Sequence, residues 1–134
     1  DKATLTEAST ASLDSLITLL NDNPNVTIEL GAHCDYKGSE SYNERLSQRR
    51  AEAVVDYLIK GGIAAERLVP KGYGESTPKV LRKKLATQLG FLKEGDILTE
   101  AFIQTLNEEQ QEICNALNRR TEFKVLRTTY KLYE

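Results

Sequence analysis

The 134-residue sequence predicts an α/β sandwich, a small sheet with helices on one face. Three patterns carry the prediction. Leu13, Leu16, Ile17 and Leu20 recur at helical spacing. From Val26 the period drops to two: Val26, Ile28, Leu30, Ala32 and Cys34 take one face, and Thr27, Glu29, Gly31 and His33 the other. A second helical pattern then covers residues 41–60. Helix and strand therefore alternate, and the length suits a single domain with a real core.

Each element has local support. Thr4-Leu5-Thr6-Glu7 fits a capping box for a first helix reaching residue 21, and Asn23-Pro24-Asn25 ends it. Residues 26–34 read as a half-buried strand. A loop with Gly38 leads into the second helix, which Gly61-Gly62 stops. Residues 64–67 add a helical turn, residues 68–73 a short strand closing at Gly74, and Thr77-Pro78 turns the chain away. Residues 80–89 form a basic amphipathic segment with Arg82, Lys83 and Lys84, and Gly95-Asp96 make a turn. Phe102, Leu106, Ile113 and Leu117 mark one further helix, whose exposed side carries Glu108, Glu109 and Glu112. Both charge clusters read as solvated helix faces. Residues 121–130 form a terminal strand, with Phe123 and Val125 alternating against Lys124 and Leu126. Only three strands are visible, and so small a sheet calls for a fourth, expected just upstream of Asp1.

Composition excludes several classes. Hydrophobic residues at 40% and charged residues at 28% are ordinary for a soluble globular protein. A net charge of −2 argues against broad nucleic-acid binding. No apolar run approaches the roughly 20 residues that span a bilayer. The start has no signal-peptide pattern, which fits either a cytosolic protein or a domain of something longer. Two cysteines and one histidine do not make a zinc site, so no metal is expected. Cys34 and Cys114 are therefore either a disulfide or two buried thiols.

One residue breaks the pattern. On a wheel of about 100° per residue, Leu46, Ala53, Val54, Tyr57 and Leu58 gather within roughly 140°. Arg50 falls inside that arc, with Asn43 and Ser47 beside it. An inward guanidinium requires a partner, because a stranded charge costs several kcal/mol, on the order of 3–5. Asp35, at the end of the strand and one loop away, is the natural candidate. Two readings follow from spacing. Asp35 and Arg50 form a closed salt bridge, or they face a shared cleft and clamp a zwitterion. In the second case Asp35 takes an ammonium, Arg50 takes a carboxylate, and the helix start near Ser41 to Asn43 assists. Arg119-Arg120 precede the last strand, and alternation allows at most one of them into that cleft. Catalysis finds no support: His33 and Cys34 are adjacent on a strand and point to opposite faces. Gly72-Tyr73-Gly74 lacks the lysine–serine sequel of a phosphate loop.

The stretches AHCDYKGSESYNERLSQRRAEAVVDYL, GIAAERLVPKGYGESTP and NRRTEFKV together resemble the OmpA-like peptidoglycan-binding domain. That pattern is a GHTD-like strand end, a glycine three residues on, an N-x-x-L-S-x-x-R-A helix, a GYGE-x-x-P turn and an NRR-led last strand. The resemblance covers residues 1–79 and 115–130. It implies a two-layer sandwich with a small mixed sheet, a helical insertion over about 80–114, and an opening strand of which Asp1-Lys2-Ala3 is the tail. By function it implies non-covalent binding of peptidoglycan through stem-peptide diaminopimelate, without catalysis or cofactor. The place it implies is the periplasm, as part of an outer-membrane-associated protein. Asp35 and Arg50 match the gripping residues, and Asn43 and Arg119 the supporting ones, which selects Arg119 over Arg120. The turn departs from the pattern at Ala32 and Cys34, so a hydroxyl beside the ligand is lost. The oxidising periplasm that the resemblance implies favours a Cys34–Cys114 bond. The insertion is open to three roles: lid, partner surface or packing. The rival function is a periplasmic protein–protein interaction domain using the insertion, and a cell-wall hydrolase is the remote third.

Overall fold

The computed structural model describes residues 7–130, with side chains from residue 10. The elements run α1 (Glu7–Asp22), β1 (Thr27–His33), α2 (Glu40–Lys60), a 3₁₀ turn (Ala65–Arg67), β2 (Leu68–Gly74), α3 (Lys83–Leu89), α4 (Glu100–Ile103), α5 (Glu108–Asn118) and β3 (Arg120–Arg127). The sheet order is β2-β1-β3, with β1 parallel to β2 and antiparallel to β3. This is a three-stranded mixed sheet with helices packed against it. The capping box at residues 4–7 and any strand before it lie outside the described residues.

The principal core lies between the helices and one face of the sheet. Ile28 and Leu30 of β1 and Leu68 of β2 meet Leu13, Leu16 and Leu20 of α1 and Val54, Val55 and Leu58 of α2. Arg67 is buried because its guanidinium is satisfied by three carbonyls, donating to Leu20, Asn23 and Val26. It thereby fixes the turn from α1 into β1. The buried stripe of α2 includes Ala51 and Val55, which the wheel left out, while Ala53 and Tyr57 are only half-buried.

The strand expected to be half-buried is covered on both faces. Thr27, Gly31 and His33 are all buried. The cover over Gly31 and His33 is Tyr73, the extra residue of a bulge in β2 opposite Ala32 and His33. Its ring stacks on His33 at 4.8 Å between centroids, and its hydroxyl bonds Glu29. A Cβ on Gly31 would lie 2.8 Å from that ring, so the glycine makes room for it.

Gly72 sets the distance between sheet and helix. A Cβ there would fall 2.3 Å from the Gln48 amide nitrogen and 2.6 Å from Ser47 Oγ. The bare backbone instead donates from Gly72 N–H to Gln48 Oε1 at 2.8 Å, and from Gly74 N–H to Ser47 Oγ at 2.9 Å. These bonds latch the first turns of α2 to β2.

Residues 80–114 build a second core from Leu81, Ala86, Leu92, Leu98, Ile103 and Cys114, on which Tyr36 packs. The single helix expected over residues 102–117 is two. Thr99 caps α4, and Asn107 starts α5 with a full capping box to Gln110, so the chain breaks between them. On β3, Phe123 and Val125 pair with Leu30 and Ile28, on the core side of the sheet, yet stay 49% and 51% exposed. Among the described residues the helices leave this part of the face only half covered.

Candidate functional site

At the C-terminal end of β1 the chain turns through Asp35, Tyr36, Lys37 and Gly38 before Ser39 caps α2. Gly38 sits at φ +86°, a conformation open to glycine at little cost. Asp35 is buried, and both its oxygens are engaged. Oδ1 accepts from the Lys37 N–H at 3.0 Å, and Oδ2 from Arg119 Nη1 at 2.6 Å. Tyr36 on the second core and Asn43 on the helix hold this turn. The Asn43 amide donates to the carbonyls of Lys37 at 2.8 Å and Asp35 at 3.3 Å.

A cavity of about 590 Å³ opens beside the turn. Cys34, Asp35, Lys37 and Gly38 form one wall. Tyr42, Asn43, Leu46 and Arg50 of α2 form a second, and Glu112 and Arg119 a third. Arg50 is half-buried, with Nη1 3.9 Å from Cys34 Sγ. All four residues singled out in the sequence, Asp35, Asn43, Arg50 and Arg119, thus line one cavity. Arg120 does not line it. It bonds Glu122 at 2.9 Å and the Thr77 carbonyl at 3.0 Å.

Spacing sets Asp35 and Arg50 either in a closed salt bridge or across a shared cleft, whereas the ion pair that Asp35 makes is with Arg119. Arg119 also donates from Nη2 to Glu112 at 2.8 Å, and Glu112 accepts from Lys37 Nζ at 3.3 Å. Arg119 and Lys37 hold the Glu112 carboxyl below its usual range, and Glu112 and Asp35 hold Arg119 above its own. Glu112 is exposed, as expected of a solvated helix face, and it also stands at the cavity rim. One signal was present in the sequence. Glu112 and Arg119, the residue that ends α5, are seven residues apart, about two helical turns. Lys37 and Tyr42 carried no signal beyond lying in the same stretch.

Neither cysteine forms the expected bond; both are free thiols. Cys34 donates to the Asn43 carbonyl at 3.4 Å, while Cys114 is buried in the second core. Burial pushes both thiols above their usual pKa, and at Cys34 the nearby Arg50 acts in the opposite direction. His33 is on the far face, stacked on Tyr73, and makes no pair with Cys34. Among the described residues no group of three or more His, Cys, Asp and Glu side chains could hold a metal, and no helix is long and apolar enough to cross a membrane.

A family model for the OmpA family matches residues 1–88, which is more than half of the chain. The chain belongs to the OmpA family. Curated relatives include outer membrane protein A of Escherichia fergusonii, 42% identical over 80 residues, and outer membrane porin F of Pseudomonas fluorescens, 37% identical over 78. Each match covers 58% of this chain but only 33% and 24% of those proteins, so this OmpA-family chain spans a third or less of their length. Among solved structures, the peptidoglycan-associated lipoprotein from Burkholderia pseudomallei superposes with a TM-score of 0.67 at 22% identity, over 94% of this chain and 84% of that one. The C-terminal domain of Helicobacter pylori MotB gives 0.64 at 15% identity, over 92% and 76%. The cell wall anchor of the T6SS from Pseudomonas aeruginosa gives 0.61 at 20%, over 93% and 71%. At these identities the likeness is one of fold.

Proposed function

We propose that this domain binds peptidoglycan non-covalently through the diaminopimelate of its stem peptide, and so holds an outer-membrane-associated protein to the cell wall from the periplasmic side. One observation carries the reading: Asp35 and Arg50 stand on different walls of a single cavity, on the turn and on the helix. The volume is in the range of small-molecule sites, which run from about 300 to 1,000 Å³. Asp35 has accepted two hydrogen bonds, and a carboxylate has room for about four, so a ligand ammonium can join without displacing either donor. Arg50 offers a planar fork for a carboxylate. Asn43 shapes the turn rather than gripping, since its amide donors are spent on carbonyls. Arg119 steadies Asp35. Nothing in this scheme breaks a bond, so the domain acts as a binding module without a cofactor.

The relatives support the reading by what they are: outer membrane protein A, a peptidoglycan-associated lipoprotein and a cell wall anchor. The test is co-sedimentation with purified sacculi. Wild type is expected to pellet with them, and Asp35→Ala and Arg50→Ala to remain in solution. Binding that survives both substitutions sinks the clamp. Diaminopimelate-type sacculi should bind more tightly than lysine-type ones, because lysine lacks the side-chain carboxylate for Arg50; equal binding contradicts that role.

A second reading, a protein-interaction domain working through residues 80–114, rests on Val80 and Ile97, bridged to each other and about half exposed. Absence of any sacculus binding would favour it.

A further inference from the structure

We infer that Lys37 and Arg119 form a second carboxylate subsite at the cavity rim, filled in the free protein by the chain's own Glu112. The geometry is that of a bound carboxylate. Oε1 accepts from Arg119 and Oε2 from Lys37, one oxygen to each cation. The two cations reach this point from different segments, Lys37 on the turn after β1 and Arg119 at the entry to β3.

The side chains of Glu112 and Lys37 are each 57% exposed, so the carboxylate lies at the mouth rather than in the floor. Arg119 keeps its second hand on Asp35 and stays in place if Glu112 leaves. Ion pairs this exposed contribute little, and a ligand carboxylate of similar charge can exchange for the internal one. The cavity walls carry Lys37, Arg50 and Arg119 against Asp35 and Glu112. Withdrawal of Glu112 leaves an excess of positive charge where ligand enters. Glu112 belongs to α5, beyond the residues 1–88 matched by the family model.

The ligand class follows: an amino acid or peptide with two carboxylates, one for Arg50 and one for the rim. For the identity of that ligand the inference rests on the diaminopimelate reading. The experiment is calorimetric titration of the free tripeptide L-alanyl-γ-D-glutamyl-diaminopimelate into wild type, Glu112→Gln, Lys37→Met and the double variant. Glu112→Gln is expected to bind about two- to five-fold more tightly, as loss of an exposed competing pair allows. The gain should vanish in the double variant. Equal or weaker binding by Glu112→Gln overturns the subsite.

A parallel titration with glutarate, read by NMR at Lys37 Nζ and Arg119 Nε, separates the two readings. If no variant binds tripeptide, the diaminopimelate reading fails and glutarate judges the rim. Shifts at both cations at lower glutarate concentration in Glu112→Gln than in wild type uphold it. Unchanged or absent shifts refute it.

Discussion

Arg119 donates to Asp35 at 2.6 Å across 84 positions of the chain, and that bond joins the entry of β3 to the end of β1. Asp35 is nearly enclosed, its side chain 12% exposed, while Arg119 keeps solvent on one side at 36%. Asp35→Asn should lower unfolding stability by about 1–2 kcal/mol, and a double-mutant cycle with Arg119→Gln should show a coupling of about 1 kcal/mol, the partial exposure holding it well below a fully buried pair. Urea unfolding measures both. Additive effects would mean that the pair contributes no coupling.

His33 is pushed from 6.5 down to about 4, first by burial and then by the Arg120 guanidinium nearby, with Glu122 opposing. The unfolded chain therefore binds a proton at a pH where the folded one does not. Stability from this group is fully present above about pH 6.5 and is lost as pH falls toward 4, by on the order of 2 kcal/mol. As the sole histidine, its ring protons can be followed without ambiguity. An NMR midpoint near 6.5 in the native state would refute the shift.

Gly72→Ala places a methyl group against the backbone of α2, which cannot step aside as a flexible side-chain tip could. A loss of about 2–4 kcal/mol is expected in denaturant unfolding. Because Gln48 and Ser47 precede Arg50 on the same helix, ligand binding should weaken as well. A neutral outcome would show that the helix can shift at little cost.

Alkylation after unfolding without reductant should add two labels, one each at Cys34 and Cys114. In the native protein labelling should be slow, since both thiols are buried and shifted toward the unreactive protonated form. A mass showing no label until reductant is added would establish the disulfide instead.

The candidate site was legible in sequence where a local rule was broken. Arg50 stood in an apolar arc, and that alone demanded a partner. Asp35 was within one loop, so spacing could nominate it, but its ion-pair partner lies at the far end of the chain. Glu112 and Lys37 meet across 75 positions, a distance at which periodicity says nothing. The strands were legible because a period of two survives burial of one face. Cover of the second face was not, since it depends on Tyr73 lying at a bulge. The break between α4 and α5 had a local sign, Asn107 three residues before Gln110, which the apolar repeat from Phe102 to Leu117 masked.

β1 is hydrogen-bonded along both edges, to β2 on one side and β3 on the other. Asp35 follows its last residue, with Cys34 tied to Gly74 between them. Tension applied to Asp35 along the strand axis is therefore shared by two ladders loaded in shear. Their bonds must yield together rather than unzip one after another. A pull taken up at Asp35 along β1 therefore meets both ladders at once.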